Sequence, residues 1–226
     1  MVQQIKQSSL FGDKPIYPVS MPIDENIFYP LSKSSEGNRF GVPLGKKVIF
    51  FGAVTVSNPR KGFNQLVEAL SKLDLILGDE KLGGNVELII AGKTTPADLN
   101  ALSYRTTSIG LVDYKTLADA FRLADVFVCP SVQDSGPIMV NQSMLCGTPV
   151  VAYDMGAASS LVIDGKTGFK CKLGDTDALA KGIYKVLKLS NEDKEFFSYR
   201  CRELGLRTNS IKSVTEQLKQ VLTNLT

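Results

Sequence analysis

Arg60-Lys61 is a cation pair followed by Gly62 and then by Phe63, Leu66, Val67, Leu70 and Leu73, whose spacing predicts a helix. Positive charge at a helix start opposes the macrodipole, so a neighbouring phosphate explains the pair better than helix stability does. Taken alone, such a pair is more often a solvated basic turn. A second phosphate-suited feature shifts that balance. After the apolar strand Val126-Phe127-Val128-Cys129, a loop from Pro130 to Gly136 leads into a helix from Ile138 to Cys146, whose start at Gly136 to Ile138 presents unpaired N–H groups. Asp134 in that loop and Gln142 in that helix are eight residues apart. If the helix lies along a crevice, they sit about two turns from one another and suit the two ends of an extended polar ligand. The blander alternatives are a helix cap or loop carboxylate for Asp134 and an exposed helix residue for Gln142.

Much other chemistry is absent. The chain has no histidine, which excludes Ser-His-Asp and Cys-His nucleophile pairs and removes the commonest general base and metal ligand. Carboxylates, amides, lysine, arginine and backbone dipoles must carry any reaction. No GxGxxG follows a strand and no GxxxxGK[ST] occurs, so the nicotinamide and P-loop readings lack their loops. Cys129, Cys146, Cys171 and Cys201 have no CxxC spacing and read as small hydrophobes in a reducing compartment. A net charge of +3 with dispersed Lys and Arg argues against a nucleic-acid partner. The start MVQQIKQSSLFGDK lacks a signal peptide's apolar core, and no run has the length of a transmembrane segment. A cytoplasmic location is expected.

These groups need elements to position them. The 226 residues are 43% hydrophobic and 22% charged, which suits a single domain with extensions. Residues 1–45 carry scattered prolines and no periodicity, and read as a hinge or linker segment. Residues 46–190 alternate strand and helix. The expected strands are Val48 to Phe51, Val86 to Ala91, Ser108 to Val112, Val126 to Cys129, Val150 to Ala152 and Gly168 to Cys171. Helices are expected after the first strand, around Leu117 to Ala124, at Ile138 to Cys146, and near Ala157 to Val162. The fold class is therefore α/β, a doubly wound, mostly parallel, six-stranded Rossmann-like sheet with C-terminal helices. Those helices are expected from Ala178 to Leu189, Glu192 to Leu204 and Ile211 to Leu225, with Asp175 and Asn191 as caps. The stripe Val214, Leu218, Val221 and Leu222 must pack on this domain or on one outside residues 191–226 and their sheet. Both phosphate-suited features fall at carboxyl ends of strands, on one edge of the sheet.

The order RKG, then PSVQDSGPIMVNQSMLCGTPVVAYDMGA, then VIDGKTGFKCKLGDTDALA resembles the nucleotide-sugar-binding, C-terminal half of the family four retaining glycosyltransferases, over about Ile23 to Leu189. The resemblance implies one half of a GT-B fold. It assigns Lys61 to the donor diphosphate and makes Lys61 and Asp134 the catalytic pair. The family's arginine after the strand glycine, here Gly52, is replaced by Ala53, and Arg60 stands in from the neighbouring position. Asp134 and Gln142 match the family's paired glutamates, the first near the donor sugar and the second on the ribose hydroxyls, where an amide can also bond a diol. Ser135, Gly136 and Ile138 match backbone donors to the distal phosphate and sugar, whereas Pro137 has no N–H. Leu111 and Val112, after Gly110, match the loop that lines the nucleobase. Gly147 and Thr148 read as turn and packing residues. The implied reaction transfers a sugar from a nucleotide diphosphate sugar, of UDP or GDP type, to a hydroxyl of a saccharide or lipid-linked acceptor with retention. The donor is a co-substrate, and no metal or other cofactor is required. VSMPIDENIFYP resembles the segment that enters the second domain, so an N-terminal acceptor domain is expected as a missing partner, with these residues alone binding donor but transferring poorly. Polysaccharide assembly, peripheral to a membrane in the full-length protein, is the implied setting. Ala53 and Gln142 keep a non-catalytic or degenerate binding module open, and a related epimerase is the further alternative.

Overall fold

The computed structural model describes residues 5–31, 39–43, 45–78, 83–134 and 136–224. Its strands are β1 (Lys47–Thr55), β2 (Val86–Lys93), β3 (Arg105–Gly110), β4 (Val126–Cys129), β5 (Val150–Tyr153) and β6 (Gly168–Cys171). The helices are α1 (Phe63–Leu77), α2 (Pro96–Asn100), α3 (Tyr114–Leu123), α4 (Ile138–Leu145), α5 (Ala158–Leu161), α6 (Thr176–Leu187), α7 (Asn191–Asn209) and α8 (Ile211–Thr223). All strand pairs are parallel, in the order β3-β2-β1-β4-β5-β6. The chain runs outward from β1 and then crosses back to β4, so the strand order reverses between these neighbours. At such a switch point the flanking connections leave on opposite sides and open a crevice at the carboxyl ends.

The strands read as continuous apolar runs because both sheet faces are covered. Phe50, Ile89, Phe127 and Val150 face α3, α4 and α7, whereas Ile49, Leu88, Val126 and Val151 face α1 and α6. Phe50, Phe121 and Phe127 pack with centroids 4.9–5.6 Å apart.

Several boundaries differ from those the sequence suggests. β3 begins at Arg105 and stops at Gly110, leaving Leu111 and Val112 in the following loop. Its polar residues lie on an edge strand with intermediate exposure, which hides them from a hydrophobicity pattern. The polar stretch near Pro96 forms α2, closed by a capping box in which Thr95 Oγ1 accepts from Asp98 N–H and Asp98 Oδ2 from Thr95 N–H. Ser190, rather than Asn191, caps α7 by accepting from Asp193 N–H, and α7 continues past Leu204 to Asn209. Asp175 caps α6 as expected.

Residues 20–31 are docked on the sheet's helices. Ile23 and Phe28 are 3% and 2% exposed. Arg202 of α7 donates to the carbonyls of Phe28 and Leu145 at 2.6 and 2.8 Å. Arg122 of α3 donates to those of Tyr29 and Ile27 at 2.8 and 2.6 Å, with its guanidinium 4.2 Å from the Tyr29 ring centroid. Ser32 to Ser35 lies outside the described residues. α7 packs on α4, and α8 packs on α7 through Val214, while Leu218 and Leu222 of its stripe are exposed. Among the described residues no helix is long and apolar enough to cross a membrane.

Candidate functional site

The site builds from a tight turn at the end of β1. Asn58 Oδ1 accepts the Arg60 N–H at 3.1 Å and caps a single 3₁₀ turn, Pro59–Lys61, which Gly62 ends at φ +74°. Gly62 is required there for two reasons. Its φ is left-handed, and a Cβ would stand 1.8 Å from the Pro130 carbonyl oxygen in the loop after β4. The loops are also laced by hydrogen bonds, since the N–H groups of Val132 and Gln133 reach the Arg60 carbonyl at 2.9 and 3.3 Å.

That lacing puts Lys61 beside Asp134. Lys61 Nζ is 2.5 Å from Asp134 Oδ2, with the side chains 32% and 13% exposed. Asp134 Oδ1 accepts the Gly136 N–H at 3.1 Å. Pro137 occupies the N-cap of α4 without a side-chain cap bond, so first-turn donors such as the Ile138 N–H have no intrahelical acceptor. Arg60 is exposed and forms no ion pair among the described residues. Ser135 lies outside the described residues.

Beyond the first turn of α4 a cleft of about 260 Å³ opens between the ends of β1, β2 and β3. Ala53, Val54, Ala91, Gly92, Leu111, Val112, Tyr114, Ile138 and Met139 make it mostly apolar, and Gln142 supplies an amide. Gly52 borders it through Met139, whose methyl fills the space a Cβ at Gly52 would need. Gln142 is 2% exposed and its Oε1 has no hydrogen-bond partner. A buried acceptor left unpaired costs about 1–3 kcal/mol, and a ligand hydroxyl would satisfy it. The structure therefore brings Arg60, Lys61, Asp134 and Gly136 together, and sets Leu111, Val112, Ile138 and Gln142 around the adjoining cleft.

Sequence reasoning passed over Gly92, Tyr114 and Met139. Gly92, at φ +117°, lets β2 run so close to β1 that a Cβ would meet the Ala53 carbonyl oxygen. The available signal was a glycine at or near the end of each of β1, β2 and β3, namely Gly52, Gly92 and Gly110. Gly147 and Thr148 are turn and packing residues: a Cβ on Gly147 would strike Ser198, and Thr148 Oγ1 donates to the Phe121 carbonyl. Burial pushes the Cys129 thiol, beneath the site, above its ordinary pKa. Among the described residues no three His, Cys, Asp or Glu side chains converge on a common point suited to a metal ion.

Comparison with known proteins matches this architecture. The chain is 34% identical over 163 residues to a phosphatidyl-myo-inositol mannosyltransferase of Mycobacterium leprae, an alignment covering 70% of this chain and 41% of that protein. The chain thus spans about two-fifths of that relative's length. A glycosyltransferase of Rickettsia africae superposes with a TM-score of 0.80 at 17% identity, covering 97% of this chain and 60% of its own. Anabaena Alr3699/HepE, in complex with UDP and glucose, gives 0.72 at 19% identity, covering 91% and 56%. At these identities the likeness establishes the fold, a GT-B-like Rossmann unit. The model of the family "Glycosyl transferases group 1" matches residues 45–189, the span that holds the whole sheet and both loops of the crevice. This chain belongs to the group 1 glycosyl transferases.

Proposed function

We propose that the crevice binds a nucleotide diphosphate sugar as the donor half of a retaining glycosyltransferase. The observation that carries this is the buried, unpaired Gln142 Oε1 in an apolar cleft that adjoins the Lys61–Asp134 pair. The cleft suits a nucleoside, with ribose hydroxyls on Gln142 and the base along Leu111 and Val112. The diphosphate then falls at the α4 N-terminus, within reach of Lys61 and Arg60, and the sugar falls beside Asp134. Negative charge develops on the departing diphosphate in the transition state, and a fixed ammonium and helix-end N–H groups stabilise it there without a metal ion. The mycobacterial relative is a mannosyltransferase by name and the Anabaena structure holds UDP and glucose, which makes hexosyl nucleotides the donor class to test. The acceptor in this reading is a saccharide or lipid-linked hydroxyl.

Calorimetric titration with UDP, GDP, ADP and their sugar conjugates, with and without magnesium, tests this. The expected result is binding of one nucleotide, independent of magnesium and weakened about tenfold or more in Lys61→Ala, as for loss of a charge-assisted contact. Unchanged affinity in Lys61→Ala would place the diphosphate elsewhere.

A further inference from the structure

The groups assigned to the diphosphate are engaged within the protein itself, and by one side chain. Asp134 sets one carboxylate oxygen 2.5 Å from Lys61 Nζ and the other 3.1 Å from the Gly136 nitrogen. An ammonium and a backbone N–H gripping the two oxygens of a single anion is the arrangement a phosphate would take. The turn holding Lys61 is fixed to the loop holding Asp134, through Val132 and Gln133 N–H on the Arg60 carbonyl and through the close approach of Gly62 to Pro130. Lys61 therefore cannot leave Asp134 by a loop shift without breaking those bonds. Arg60, exposed and outside any ion pair among the described residues, holds no such internal anion.

We infer that Asp134 is an internal competitor for the diphosphate: its carboxylate occupies the anion position on Lys61 and Gly136, and a ligand binds there only by displacing it. This deepens the donor-binding reading and rests on it. The consequence is selection by charge. A nucleoside brings no anion to the pair and cannot replace a carboxylate already held at short range, whereas a phosphate group, with charge at least equal to the carboxylate's, can. The carboxylate, 13% exposed, then loses its cation, and a part-buried charge without a partner is unfavourable. Hydroxyl donors on a group attached beyond the diphosphate would satisfy it. A sugar conjugate thus avoids a penalty that the free nucleoside diphosphate meets.

The test uses residues 1–226 as wild type, Asp134→Asn, Asp134→Ala, Lys61→Ala and Lys61→Ala/Asp134→Asn, each checked for folding by thermal melting. Each is titrated with UDP, GDP, ADP and inorganic pyrophosphate. Competition predicts that Asp134→Asn and Asp134→Ala tighten the diphosphate and pyrophosphate about two- to fivefold, the scale of one part-exposed ion pair. It also predicts that this gain shrinks toward unity when Lys61 is already alanine. Tightening of equal size in the Lys61→Ala background would reduce Asp134 to a general negative charge near the site and overturn the inference. If wild type binds and Asp134→Asn binds no tighter, the competition is refuted while the donor reading stands. If neither wild type nor any variant binds these probes, both fall together.

Discussion

Replacing Gly62 with alanine tests whether the crevice depends on the close approach of its two loops. The new Cβ would lie 1.8 Å from the Pro130 carbonyl oxygen, at a residue whose φ is +74°. An ordinary contact there is about 3.4 Å, so one loop must retreat by more than about 1 Å in a well-packed region. The left-handed conformation alone costs an alanine about 1–2 kcal/mol, and forced overpacking adds about 1–3 kcal/mol. The sum, about 2–5 kcal/mol, lowers Tm by about 5–15 °C for a chain of this size. Gly174→Ala is the control, because Gly174 has φ +82° with nothing within 4 Å of its Cβ position, so it meets the conformational cost without the clash. Calorimetric melts of the two variants should differ by the overpacking share, about 3–9 °C. The same retreat pulls Arg60 from Val132 and Gln133 and separates Lys61 from Asp134, so nucleotide affinity of Gly62→Ala should change well below its Tm while that of Gly174→Ala does not. Equal melting losses in the two variants would show that the loops are not in contact as described, and the positional argument for Lys61 would fail with it.

Gln142→Leu should raise Tm by about 2–4 °C, because it removes a buried acceptor without a partner, and should lower nucleotide affinity about tenfold; thermal melting and calorimetry check the opposite signs. The four thiols are buried, and burial pushes Cys146 and Cys171 up to about 12 and raises Cys129 and Cys201 as well. Ellman's reagent near neutral pH should therefore label none of them in the folded protein and all four in denaturant. Phe28→Ala should cost about 3–5 kcal/mol, as for an aromatic deep in a core, and a Tm change under about 2 °C would show that residues 20–31 are not part of the folded unit.

The strands were legible because β1, β2, β4 and β5 are short apolar runs, the pattern of a sheet buried on both faces. β3 was legible only from Ser108 to Gly110, since Arg105, Thr106 and Thr107 are polar residues on an edge strand. Phe28 and Ile23 stand alone in a proline-containing stretch with no period. Arg122 and Arg202 hold the carbonyls around Phe28, and the Ile23 N–H donates to the Asn209 carbonyl; the Arg202 bond to the Phe28 carbonyl joins residues 174 apart in sequence. At the site, the residue types of Lys61, Asp134 and Gln142 pointed to anion and diol chemistry. Their relations did not follow from type: Lys61 and Asp134 meet directly across 73 residues of chain, and Gln142 is buried in the cleft wall rather than exposed on its helix. Met139 and Tyr114 carry no chemical signature, and only the three-dimensional closure of β1, β2 and β3 makes them lining residues.

Arg202 donates with one nitrogen to the carbonyl of Phe28, in the N-terminal segment, and to that of Leu145, the last residue of α4. It acts as a rivet through both pieces. α4 is only eight residues long and starts at the crevice, so it behaves as a short stiff rod gripped at its far end. A pull or twist applied along residues 20–31 is delivered to that grip rather than absorbed in a slack tether, and the rod carries it to the crevice end. Whatever moves the segment thereby has mechanical purchase on the crevice.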